Sequence, residues 1–160
     1  ELLESGQVDL IVTNYPNSHL SNLYSMKKIG SFKDVFVANK TFIELKDKKV
    51  SFKELLNYPI MMLDKQTTTS EYLHSLFQQH QLDLVPEIEL SSNDLLLDLA
   101  KIGLGIAFVP DFCIPKNTKD LFYVHTEEEL PNRELAIVYN HQMPISKAAQ
   151  EFLDYFNKEQ

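Results

Sequence analysis

The chain has 160 residues, of which 44% are hydrophobic and 24% charged, enough apolar material for a real core in one ordinary domain or two small lobes. Its net charge of −8 argues against the chain itself tracking a nucleic-acid backbone, which needs clustered Lys and Arg. The single cysteine excludes an intrachain disulfide, so a reducing cytoplasm is the expected compartment, and neither a signal peptide nor a membrane-length apolar run is present.

Glu1 to Gly6 reads as the last turns of a helix with its Gly cap, as though earlier chain had been removed. Val8–Val12 follows as a buried strand, with Thr13–Asn17 as the loop at its carboxyl end. Leu23–Ile29 and Asp34–Ala38 are two further extended segments. Lys46, Lys48 and Lys49, interrupted by Asp47, form the densest basic cluster and read as a solvated turn. Ser51 and Glu54 have capping-box spacing over a short helix, Phe52–Leu56, which Tyr58-Pro59 stops. Ile60–Leu63 is a buried strand leading into Asp64-Lys65-Gln66-Thr67-Thr68-Thr69. Thr68 and Glu71 make another capping pair, and Tyr72, Leu73, Leu76 and Phe77 supply a helical stripe. A strand end, three hydroxyls, a lysine and a helix start together suit a carboxylate, sulfate or phosphate. The same threonines also read simply as caps.

The chain is organised around residues 91–111. Pro86–Leu90 is a strand entering a helix that Ser91 and Asp94 cap, with Leu95, Leu99 and Ile102 as its apolar stripe. Gly103 closes the helix. Leu104–Val109 is a strand buried on both faces, ended by Pro110. Such parallel units bind ligands at the carboxyl ends of their strands. Leu121–His125 and Glu134–Tyr139 are later strands, separated by the acidic Glu127–Glu129, read as a solvated loop. Ser146 then caps a helix whose Ala148, Ala149, Phe152, Leu153 and Phe156 face inward. Strands alternating with helices predict an α/β fold.

No catalytic constellation stands out. The five histidines lack metal-ligand spacing, with His74 read as a surface residue, and Cys113 reads as a small buried hydrophobe. There is no G-x-S-x-G elbow, P-loop or G-x-G-x-x-G motif. No metal and no cofactor is expected.

Four landmarks carry a family resemblance. They are Leu3-x-x-Gly6-x-Val8-Asp9-Leu10-Ile11-Val12, Phe52 to Met61 with Pro59 before an apolar run, Leu99 to Pro110 containing Gly103-Leu104-Gly105-Ile106-Ala107, and Ile145-Ser146-x-Ala148-Ala149-x-x-Phe152. In this order they resemble the effector-binding domain of LysR-type transcriptional regulators. The resemblance implies a two-lobed periplasmic-binding-protein-like fold (type 2), its first lobe incomplete at the N-terminus. Lobe I would comprise residues 1–39 and 141–160, and lobe II residues 40–140. A small, anionic effector would lie in the inter-lobe cleft, lined by Thr13 and Asn14 and by Leu63, Lys65, Gln66, Thr67, Thr68, Thr69, Asn93, Val109 and Pro110. Lys65 could equally project to solvent. The resemblance further implies self-association of the full-length protein as a dimer or tetramer, with the helix over Asp94–Ile102 packed beside a neighbouring subunit. DNA would be contacted only through a winged helix-turn-helix that precedes this domain in the family, and no membrane is involved. Two other readings share the scaffold: a transport-type solute-binding protein, and a dehydratase-like enzyme that would need Asp64 or Asp111 as its acid or base.

Overall fold

A computed structural model describes residues 2–15, 17, 20 and 24–156. Its elements run β1 (Leu10–Tyr15), β2 (Tyr24–Phe32), β3 (Asp34–Ala38), β4 (Lys49–Val50), α1 (Phe52–Leu55), β5 (Ile60–Leu63), α2 (Thr68–Gln79), β6 (Ile88–Leu90), α3 (Asn93–Lys101), β7 (Ile106–Pro110), β8 (Phe122–Thr126), β9 (Arg133–Asn140) and α4 (Lys147–Tyr155). Short 3-10 turns occupy Lys40–Leu45 and Asp111–Cys113. The chain divides into two compact units, Glu1–Ser31 with Arg133–Gln160, and Phe32–Asn132.

The first unit is a three-stranded sheet ordered β1-β9-β2. β1 pairs antiparallel with β9 from Leu10↔Tyr139 to Tyr15↔Glu134. This pairing corrects the sequence reading. Thr13 and Asn14 are strand residues opposite Ala136 and Leu135, not a loop. The strand is partly buried throughout except for Val12, which is 50% exposed, because a thin sheet has too little material to cover both faces. Pro16, Leu23 and Glu1 lie outside the described residues. Leu2–Gly6 forms turns, not a helix, closed by Gln7 N–H donating to the Leu2 carbonyl at 3.0 Å. Leu3, Ala136 and Val138 centre the core of this unit. On α4, Ser146 accepts the Ala149 amide as expected. Ala149 and Leu153 are buried, whereas Ala148 and Phe152 are exposed and Phe156 is half-buried.

The second unit is a six-stranded sheet ordered β4-β8-β3-β7-β5-β6. β5 runs parallel to both β6 and β7, while β3 is antiparallel to β7 and β8. The alternation of side chains sorts two cores. Phe36, Ile60, Met62, Ile106 and Phe108 pack with α1 and α2 on one face. Val37, Met61, Leu63, Ala107 and Val109 pack with α3 on the other. Covered on both faces, β5 and β7 are buried at every residue, as continuous apolar runs in parallel sheets require. Paired Phe36 and Phe108 meet across the strands with ring centroids 4.8 Å apart and planes tilted by 47°, and Phe52 stacks on Phe77 at 4.4 Å.

Several local expectations shift. β7 begins at Ile106, leaving Leu104 exposed. The caps move by one residue where hydroxyls repeat. Thr67, not Thr68, caps α2 by accepting the Ser70 amide, and Ser92, not Ser91, caps α3 through the Leu95 amide. The face of α3 is also corrected: Leu96, Leu97 and Ala100 are buried, while Leu95 and Ile102 are 46% and 69% exposed and Leu99 is half-buried. Three successive leucines make two phases of the stripe equally apolar, and packing on β5 and β7 selects one. Within the acidic run, Glu127 and Glu129 are exposed, but a Glu128 carboxylate oxygen accepts the Phe52 amide at 2.8 Å at the start of α1.

Candidate functional site

Because β5, β6 and β7 are mutually parallel, their carboxyl ends reach one edge of the second unit's sheet. Leu63 pairs with Leu90 there, and Asp64 N–H extends the ladder to the Leu90 carbonyl at 2.9 Å. Each of the first two strands hands over to a helix at that edge, so α2 and α3 both begin there. A helix start carries unpaired amides and a partial positive charge of roughly half a unit. Two such ends beside three strand termini form an anion-favouring edge.

The residues chosen from sequence occupy this edge unequally. The Thr67 hydroxyl is committed to local structure, accepting from Ser70 N–H at 3.2 Å and donating to the Asp64 carbonyl at 2.9 Å. Thr69, Leu63, Val109 and Pro110 are buried, so they shape the edge from beneath. Lys65 and Gln66 are exposed, and Thr68 and Asn93 are half-buried. The Asn93 Oδ1 atom is shut off from solvent with no hydrogen-bond partner among the described residues. Sequence reasoning missed a second such atom, Ser70 Oγ in the first turn of α2, whose residue is fully buried. Its neighbour one turn on, His74, is half-buried with a solvent-excluded, unpartnered Nε2, not the surface group expected. Asp64 and Asp111 are both half-buried at the same edge. Thr13 and Asn14 belong to the first unit, inside β1. Two larger cavities of the second unit, 510 and 640 Å³, lie over β3 and β8 and share Tyr123. None of the effector-lining residues chosen from sequence lines either one, whereas Asp111, weighed there as an acid or base, lines the 510 Å³ cavity.

Cys113 packs half-buried against the α3-side core. Burial pushes its thiol above the ordinary range, and the carboxylates of Asp94, Asp34 and Asp111 push it the same way. A raised thiol holds less thiolate at any given pH. Alkylation by iodoacetamide at pH 8 is therefore expected to be slower than for an exposed cysteine peptide, and to accelerate as pH rises. An equal or faster rate would contradict the shielding of this half-buried thiol. Among the described residues, no group of three His, Cys, Asp or Glu side chains could hold a metal ion, and no helix is long and apolar enough to cross a membrane.

Two α/β units of this topology make a periplasmic-binding-protein-like ligand-binding domain. The chain belongs to the LysR substrate binding domain family, whose model matches residues 1–160. It is 28% identical over 123 residues to the HTH-type transcriptional activator CmpR of a Synechocystis species, an alignment covering 76% of this chain and 40% of that protein. The chain thus spans well under half the length of that relative. Among solved structures it is similar to the regulatory domain of Synechocystis CcmR in complex with 2-PG, with TM-score 0.83 and 18% identity over 97% of this chain and 74% of that one. It is also similar to the effector binding domain of QuiR in complex with shikimate, with TM-score 0.81 and 15% identity over 97% and 73% of the respective chains.

Proposed function

We propose that this effector-binding domain recognises a small anionic metabolite at the carboxyl edge of its second unit and does so inside the cell, as part of a transcriptional regulator. The observation that carries the reading is the convergence of three parallel strand ends with the starts of α2 and α3. An acid group would sit at the start of α2, within reach of the Lys65 ammonium and the Thr68 hydroxyl. The unpartnered Asn93 Oδ1 would accept from a hydroxyl of the same ligand, satisfying an atom that is otherwise costly to bury. A hydroxy acid meets both demands. Two proteins of the same fold hold 2-PG and shikimate, both small anions, which favours this class. Binding biases a conformational equilibrium by its differential affinity for the states involved.

The test is a thermal-shift screen of small carboxylates and hydroxy acids, because a ligand that binds only the folded chain raises its apparent stability. Thr68→Val is expected to weaken a hit about tenfold, in line with the ~1.5–3 kcal/mol of a hydrogen bond to a charged group. An unchanged response would remove Thr68 from the site.

The exposed face of α3, Leu95 and Ile102, supports a second proposal, that the regulator self-associates through this helix. Contiguous exposed apolar side chains on one helix face are a common signature of a partner surface. DNA contact would belong to a separate winged helix-turn-helix of the full-length regulator.

A further inference from the structure

At the opposite end of the second unit's sheet, the chain gathers positive charge that its sequence disperses. A cavity of 250 Å³ is lined by Lys40 and Lys46 at the two ends of the 3-10 turn, Lys101 at the end of α3, and Lys119 before β8. Its acidic lining residue is Asp120. Lys101 Nζ pairs with Asp98 at 3.0 Å. The side-chain ammonium groups of Lys40, Lys46 and Lys119 have no ion-pair or hydrogen-bond partner among the described residues. In a chain of net charge −8 with 15 basic residues, four lysines around one small cavity are a local reversal of the protein's field.

The floor of the cavity is fixed. Asn39, buried, donates from Nδ2 to the Lys101 carbonyl at 2.8 Å and accepts the Thr41 amide on Oδ1 at 2.8 Å. One side chain thus ties the end of β3 and the 3-10 turn to the end of α3, so the segments bearing Lys40 and Lys101 are held together before any ligand arrives. Such preorganisation lowers the ordering cost of binding.

We infer that this cavity is a second ligand site, separate from the effector edge, for a small multiply charged oxyanion. The volume lies below the ~300 Å³ at which metabolite pockets usually begin, which selects an ion of pyrophosphate or citrate size over a nucleotide. Three unpaired ammonium groups match two or more negative charges on the ligand, and ammonium groups serve phosphate as point charges without requiring a planar fork.

The experiment is isothermal titration of the chain with pyrophosphate and with citrate at constant ionic strength. The expected result is saturable one-to-one binding of at least one of them, with Kd below 1 mM; whichever binds more tightly identifies phosphate or carboxylate chemistry. The double variant Lys40→Gln/Lys119→Gln is expected to weaken binding at least tenfold. Both side chains are exposed, and an unchanged melting temperature checks that the variant folds. Thr68→Val is expected to leave the titration unchanged. Non-saturable binding of both probes, equal binding by the double variant, or loss in Thr68→Val would each overturn the site. The last outcome would move the anion to the effector edge, whereas failure at the effector edge alone leaves the lysine-dependent titration intact.

Discussion

Gly103→Ala is expected to destabilise the chain by about 3 kcal/mol, measured as a lowered denaturant midpoint at unchanged slope. Two independent effects combine. Gly103 closes α3 with φ +83°, where an L side chain meets the following carbonyl and loses ~1–2 kcal/mol. An added Cβ would also run into the Thr41 hydroxyl and stand 3.0 Å from Asn39 Oδ1 and 3.1 Å from its Nδ2. Asn39 cannot withdraw freely, because each end of its amide holds one of the hydrogen bonds joining the 3-10 turn to α3. Overpacking a site that cannot yield adds ~1–3 kcal/mol. Against a total stability of ~5–15 kcal/mol for a typical domain, that loss leaves a measurable unfolded population. Gly30→Ala is the control. No atom lies within 4 Å of its added Cβ and its φ is not positive, so its midpoint should move little. Equal effects at the two glycines would mean that Asn39 is not a rigid tie.

The same glycine shows what was legible in the sequence. A helix followed by Gly103, a buried run and Pro110 announces a cap, a strand and a stop, because each is a local property of backbone stereochemistry. β3 and β5 were readable for the same reason, and their observed limits match those expected. Features decided by distant partners were not. β1 runs on through Thr13 and Asn14 because residues 134–139 pair along it, and no pattern within residues 8–17 announces that partner. The cap positions of α2 and α3 were ambiguous because Thr67-Thr68-Thr69 and Ser91-Ser92 offer adjacent hydroxyls of nearly equal capping ability, and packing chooses among them. At the candidate edge, the threonine run and Asn93 were visible as types suited to an anion. That Thr67 would be spent on its own helix and Thr69 buried depended on where the helix begins. Lys40, Lys101 and Lys119 lie too far apart in sequence to suggest one cavity.

Leu96→Ala and Leu95→Ala, one residue apart on α3, are expected to differ by several-fold in their effects. Leu96 is fully buried between α3 and the sheet, in the cluster with Met61, Val109 and Ala107. Truncating it removes packing and leaves a cavity, which for buried leucine costs ~2–5 kcal/mol. Leu95 is 46% exposed, and alanine is at least as good a helix former, so its loss should stay within about 0.5–1 kcal/mol, the range of surface changes. The order of these two values tests which phase of the leucine stripe faces the core. A second measurement tests what the outer phase does. Leu95→Lys and Ile102→Lys keep helix-forming residues at exposed positions, so the melting temperature of the dilute chain should hold. Light scattering over a concentration series should show them less associated than the unmodified chain if α3 is a partner surface, because a lysine desolvated against an apolar face is disfavoured. An unmodified chain that stays monomeric throughout, with both variants indistinguishable from it, would end the association proposal without touching the Leu96 result, since burial against β5 and β7 operates within one chain and contact through Leu95 requires two.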